Sequence, residues 1–239
     1  MSVQLKIEGG VATFTLDRPE SRNALNLDMC EKLAAYAAQC TMNPEVRLVL
    51  VRANGPSFCA GADLKERQGM SEDQVRDRRM KGFAAYAALE ALPMPSVAIV
   101  EGPAVGSGCE IAGACDFIVA TPAASFRTPE ATRGTVGATQ LLPRILGKRL
   151  AKDLMFTARA LSAEEAREAG FVSRLVAAEA LEAEVAKIAE AIVKAPPGAL
   201  RLAKRCIDRG IELDPKGALD TEIAAIEEQL ATGQWMGKS

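Results

Sequence analysis

The chain opens on alternation. In VQLKIEGGVATFTL, residues 3–16, apolar and polar positions trade places on either side of Gly9-Gly10, which predicts two short strands joined by a tight hairpin. From Asp28 to Cys40 the period changes. Leu33, Tyr36, Ala37 and Cys40 fall at helical spacing behind an acidic start, so a helix is expected there. RLVLVRA, from Arg47 to Ala53, is continuous and reads as a strand buried on both faces. It ends in NGPSFCAGADLKE, a glycine-punctuated turn expected to lead into a short helix. A long helix is predicted from Glu72 to Leu92, stopped by Pro93 and Pro95. VAIVE and DFIVA are further strands around a helix of small residues, and SFRTPE follows. Strand, turn and helix keep alternating, so the fold class is α/β.

Past residue 140 the texture becomes helical. LLPRILGKRLAKDLMFT, SAEEAREAG, EALEAEVAKIAEAIVKA, GALRLAKRCIDRG and PKGALDTEIAAIEEQLA carry alanine stripes and capping signals, and only FVSRLV looks extended. No internal repeat or low-complexity linker is legible. The expected organisation is an α/β core over 1–176 with a helical region over 177–239, packed on the core or on a partner subunit as part of the same structural domain.

Composition narrows the chemistry. Of 239 residues, 49% are hydrophobic and 25% charged, enough for a real core. With 29 basic and 31 acidic residues there is no footprint for nucleic acid. No apolar run approaches the ~20 residues of a membrane helix, and MSVQLKIEGG lacks a signal-peptide pattern. The six cysteines form no CxxC pair and sit among small or apolar neighbours, so reduced thiols and a cytoplasmic location are expected. Histidine is absent, which excludes Ser-His-Asp and Cys-His catalysis and most metal sites. Acid–base chemistry falls to carboxylates, lysine, tyrosine or cysteine.

Three segments carry candidate chemistry. AGAD, Ala60 to Asp63, follows a buried strand; its small residues let a ligand approach the backbone, or it is a tight turn with Asp63 as a cap. In VEGPAVGSGCEIAGACD, one acid, Glu110, stands among glycines and alanines. With Ser107 as helix cap the free first-turn amides suit an oxyanion, yet Ser107-x-x-Glu110 is equally a capping box. Similar spacing at Ser71-x-x-Gln74 and Ser162-x-x-Glu165 lies on charged faces and reads as capping alone. In SFRTPEATRG, Thr128, Pro129 and Glu130 read as cap, first-turn proline and acid, where Glu130 alone offers a helix dipole ~0.3–1 kcal/mol. Gly106-Ser107-Gly108 is no dinucleotide fingerprint, because Ile111 replaces the third glycine, and no nucleophile elbow, because Val105 replaces the first. Asp116 reads as a local pairing partner, and Tyr36 and Tyr86 as core or interface residues.

In this order the motifs LDRPESRNALN, SFCAGADLKE, VEGPAVGSGCEIAGACD, FRTPEATRG, LLPRILG and LSAEEAREAGFVSRLV resemble the enoyl-CoA hydratase/isomerase (crotonase) superfamily over nearly the whole chain. The resemblance implies a spiral of β-β-α units with C-terminal helices that build trimers, often paired into hexamers. It implies an acyl-CoA substrate, coenzyme A being part of that substrate and no separate cofactor or metal being needed. It puts the thioester oxygen between the backbone N–H groups of Ala62 and Ser107, the latter a position more often glycine in the family. Glu110 and Glu130 match the two acids of family hydratases, Glu110 taking a proton from water and Glu130 protonating the α-carbon. CoA contacts are implied at Arg22, Ala24, Ala60, Gly61, Asp63, Leu64 and Lys65. An isomerase, a hydratase-lyase and a non-catalytic family scaffold are the alternatives. Two departures stand out: GTVGATQLLPR is shorter than the family's loop after the second acid, and QLATGQWMGKS ends early, with Trp235 as the remnant of a lid.

Overall fold

The structure is a computed structural model, and it describes residues 2–233; Trp235 lies outside them. The hairpin forms as the alternation predicts: β1 (Val3–Glu8) and β2 (Val11–Leu16) pair antiparallel, Glu8 opposite Val11. Ala12, Phe14 and Leu16 are buried, so period-two patterning has selected one core face. Helix α1 (Leu27–Met42) starts where the Asn26 side chain accepts the Met29 amide at 3.0 Å. β3 (Leu48–Ala53) then runs parallel to β2.

The following segment turns but forms no helix. Asp63 Oδ1 accepts the amides of Lys65 and Glu66 as a cap would, but only isolated turns follow, Gln68 donating to the Lys65 carbonyl and Met70 to that of Arg67, while Glu66 Oε1 accepts the Leu27 amide of α1. Helix α2 (Glu72–Glu90) begins at a formed Ser71–Gln74 capping box.

Six further strands and three helices repeat one theme. β4 (Ser96–Val100) joins the large sheet, β5 (Pro103–Val105) a small one, and α3 (Ser107–Gly113) crosses back. β6 (Phe117–Ala120) and β7 (Ser125–Arg127) repeat the step, followed by α4 (Leu141–Thr157). β8 (Leu161–Ser162) completes the small sheet β5-β7-β8 before α5 (Ala163–Glu168), which starts at a second capping box, Ser162–Glu165. β9 (Arg174–Leu175), the extended FVSRLV segment, closes the large sheet in the order β1-β2-β3-β4-β6-β9. The result is an α/β spiral of β-β-α units. The sequence reads α4 as continuous, but Gly147 breaks it at φ 74°, ψ 154°.

Both faces of the central strands are covered, as the unbroken apolar runs demand. Val49, Val51, Ala98, Val100 and Ile118 belong to the main core with α1, α2 and α3. Leu48, Leu50, Val97, Ile99 and Val119 face the other way, against Leu181, Val185 and Ile188 of α6 (Leu181–Lys194). α7 (Pro197–Gly210) and α8 (Pro215–Ala231) pack on each other and leave Ile207, Ile211, Leu219 and Ile226 exposed. α7 is fastened to the sheet by Lys204 on Asp116 at 2.8 Å; Asp116 also accepts the Ser96 amide, so its partners are long-range rather than local.

Candidate active site

Two remote loops meet because a single residue of one acts as a strand for the other. Cys59 bridges Ala104: its amide donates to the Pro103 carbonyl at 3.2 Å, and its carbonyl accepts the Val105 amide at 2.8 Å. Gly108 lets α3 lie against this bridge, since a β-carbon there would stand 2.6 Å from the Cys59 carbonyl oxygen. On the other side Leu25 donates to the Gly61 carbonyl and accepts the Asp63 amide, at 2.8 and 2.9 Å. The amide between them, Ala62, has no protein acceptor among the described residues. Nor has the amide of Ser107, the first residue of α3; the cap residue is Gly106, not Ser107. Ser107 keeps a negative φ, so serine in place of glycine carries no backbone strain. Ala62 and Ser107 border the same cavity, about 270 Å³ in volume.

The two acids reach that cavity differently. Glu110 does not fold back on its own helix: its Oε1 accepts the Ala138 amide at 3.1 Å, and the capping box allowed by its spacing is not formed. Burial pushes its carboxyl up to about 7, the Ala138 bond working against this and the Glu130 charge adding to it. Glu130 immediately precedes a single turn, Ala131–Arg133. Thr128 caps nothing; its buried hydroxyl has no hydrogen-bond partner among the described residues. Glu130 is likewise raised by burial, with Arg133 and Arg79 opposing, and its Oε2 is buried and unpartnered. Gly106, at φ 51°, makes room for it, because a β-carbon there would overlap Glu130 Oε1. Desolvation rather than mutual repulsion is thus the main cause of both shifts.

Of the residues singled out from sequence, Ala60, Gly61, Ala62, Leu64, Ser107, Glu110 and Glu130 line the cavity. Arg22, Ala24, Asp63 and Lys65 do not; they build the turn beneath it. Asp63 pairs with Arg18 at 3.0 Å. Burial disfavours its charge, but Arg18 and the amides of Glu66 and Lys65 outweigh that and hold the carboxyl below its usual range. The Arg22 carbonyl accepts the Ala60 amide, and that of Ala24 accepts from Arg18.

Sequence reasoning missed the wall supplied by α2. Tyr36 packs on Phe14, and both tyrosines pack against the core as expected, but Tyr86 also lines the cavity, with Arg79, Gly82 and Phe83 on the same helical face. Their recurrence at three- and four-residue spacing was the available signal, masked by its mixture of charge, glycine and aromatic side chains. Arg79 donates to Thr135 Oγ1 at 3.0 Å and to the Val136 carbonyl, holding the short loop after Glu130 over the cavity. No cluster of metal-ligating side chains occurs among the described residues.

Residues 6–235 match the family model described as enoyl-CoA hydratase/isomerase. A short-chain-enoyl-CoA hydratase of Clostridium acetobutylicum is 37% identical over 235 residues, 97% of this chain and 90% of the relative. The crystal structure of an enoyl-CoA hydratase from Bacillus anthracis superposes with a TM-score of 0.92 at 37% identity, covering 95% of this chain and 90% of that one. A Thermobifida fusca structure in complex with acetoacetyl-CoA has a TM-score of 0.88 at 28% identity, covering 97% and 95%. Fold, cavity and sequence converge: this chain belongs to the enoyl-CoA hydratase/isomerase family.

Proposed function

We propose that the protein is an enoyl-CoA hydratase, adding water across the 2,3 double bond of an enoyl-CoA thioester. The observation that carries this reading is the presence, around one cavity, of two unbonded amides and two half-buried glutamates raised by desolvation. The thioester oxygen accepts from the Ala62 and Ser107 amides, which stabilise the enolate as charge develops; one such donor is worth ~2.7–4 kcal/mol. Glu110, ionised, takes a proton from water as its oxygen bonds to the β-carbon, and Glu130, protonated, delivers a proton to the α-carbon. The product is a 3-hydroxyacyl-CoA. Burial raises both carboxyls, Glu110 to about 7, which brings them toward the pH range in which a proton can be taken or given.

Around this chemistry, Lys65 and Arg22 are assigned to the CoA phosphates, outside the acyl cavity. The exposed Ile207, Ile211 and Ile226 support a homotrimer or a hexamer of paired trimers. The free cysteines agree with a cytoplasmic location, and no described helix is long and apolar enough to cross a membrane.

Loss of the conjugated thioester absorbance of crotonyl-CoA on adding protein tests the reading. Glu110→Gln and Glu130→Gln are each expected to slow it by roughly 10²–10⁴-fold. Full turnover in both variants removes the two-acid assignment. Absorbance gained from a 3-enoyl-CoA, with none lost from crotonyl-CoA, assigns an isomerase instead. Inertness toward both substrates leaves a non-catalytic member of the family.

A further inference from the structure

Four arginines border the cavity: Arg67, Arg78, Arg79 and Arg133. Two are committed within the protein. Arg78 holds Glu66 at 2.8 Å and donates to the Leu25 carbonyl, while Arg79 holds Thr135 and Val136. Arg67 and Arg133 make no side-chain hydrogen bond or ion pair among the described residues, and Arg67 Nε is fully buried in that state. The guanidiniums of Arg78 and Arg79 stand near enough to Arg67 to reinforce the effect of its burial, holding its pKa below the usual value. Neither Glu110 nor Glu130 forms an ion pair with Arg67 or Arg133, Glu110 Oε1 accepting the Ala138 amide and Glu130 Oε2 having no partner among the described residues. Two arginines without a countercharge on one cavity, one of them with an unsatisfied buried donor, call for an anion.

Resting on the acyl-CoA reading above, we propose that the preferred substrate is an enoyl-CoA whose acyl chain ends in a second carboxylate, received by Arg67 and Arg133. A CoA phosphate offers related chemistry, but a long pantetheine arm separates it from the thioester. Arg133, by contrast, lies three residues from Glu130 and acts on its charge. Arg133 therefore belongs to the acyl end, and Arg67 borders the same cavity, within electrostatic reach of Arg79, whose charge also acts on both acids. The planar fork of a guanidinium suits a carboxylate, and a terminal methyl group would leave Arg67 Nε without a partner.

Calorimetric titration of the whole protein with unreactive saturated thioesters tests this without requiring turnover. Two pairs differ only at the chain end: glutaryl-CoA against valeryl-CoA, and adipyl-CoA against hexanoyl-CoA; CoA alone is the reference. In at least one pair the dicarboxylic member is expected to bind about tenfold more tightly, and Arg67→Met or Arg133→Met to bring that ratio within about twofold. Equal affinity within both pairs of the wild-type protein overturns the proposal, whatever the variants do. So does an equal weakening of CoA alone and of glutaryl-CoA in both variants, which assigns the arginines to phosphate. Failure to hydrate crotonyl-CoA bears on the hydratase reading only, and the titrations are unaffected by it.

Discussion

The Ala138 amide donates to Glu110 Oε1 across 3.1 Å, from a residue held at φ 55°. A non-glycine residue in this left-handed region costs on the order of 1–2 kcal/mol. The short loop after Glu130 meets that cost while covering the cavity and fixing a carboxylate 28 residues upstream. Acid and wall are one device.

Burial of Glu110 makes a stability prediction with a definite sign. In the unfolded chain the group titrates near its ordinary 4.5, and in the folded protein near 7. Between these values the folded state holds the extra proton, so this contribution is full below about 4.5 and is lost as pH rises through 7. Glu110→Gln keeps an acceptor for Ala138 and removes the buried charge. The variant is expected to exceed the wild type by on the order of 1–3 kcal/mol at pH 8, with little difference at pH 5. Thermal melts at both pH values check this; a difference that does not change with pH contradicts it.

Ser107→Pro removes the amide together with the hydroxyl that bonds Tyr86, and Ser107→Ala, which removes the hydroxyl alone, is its control. Proline suits the first residue of a helix, and this N–H has no protein acceptor. The unfolding free energy is expected to change by no more than ~1 kcal/mol in urea denaturation, while hydration falls roughly 10²–10³-fold. Turnover unchanged in a folded variant removes Ser107 from the donor pair.

Gly106→Ala addresses the second acid. The added methyl meets Glu130 Oε1 at a backbone φ of 51°, so the carboxyl has to move. Stability is expected to drop by about 1–3 kcal/mol and turnover by at least about tenfold. Urea unfolding and the crotonyl-CoA assay read the two separately. A variant with wild-type kinetics means that Glu130 does not depend on this gap.

Much of this was legible beforehand, for identifiable reasons. The runs that became β3, β4 and β6 announced themselves because burial on both faces leaves no polar position to interrupt them. Ser71 and Ser162 behaved as capping boxes because their glutamine and glutamate lie on an exposed face, where no distant backbone amide reaches them. Glu110 shares that spacing but escaped the box because a distant amide reaches it first, which no local pattern can encode. β5 and β8 were invisible, three and two residues being too short for any period to register. The helix expected after AGAD stops at isolated turns, because Glu66 and the neighbouring Arg67 are drawn into long-range positions, Glu66 on the Leu27 amide and on Arg78, and Arg67 on the cavity, that no local pattern records. The Tyr86 and Arg79 wall was hidden in a helix whose faces differ little in polarity.

Both unbonded amides belong to the main chain, and that has an evolutionary corollary. Residues 62 and 107 are free to drift among compatible side chains, serine at 107 being one such outcome, because a peptide N–H carries no side-chain identity. Selection instead has to guard the neighbours that shape the path, Gly106 and Gly108 foremost. A lineage of this fold is therefore expected to vary at the two residues that present these amides and to stand still beside them.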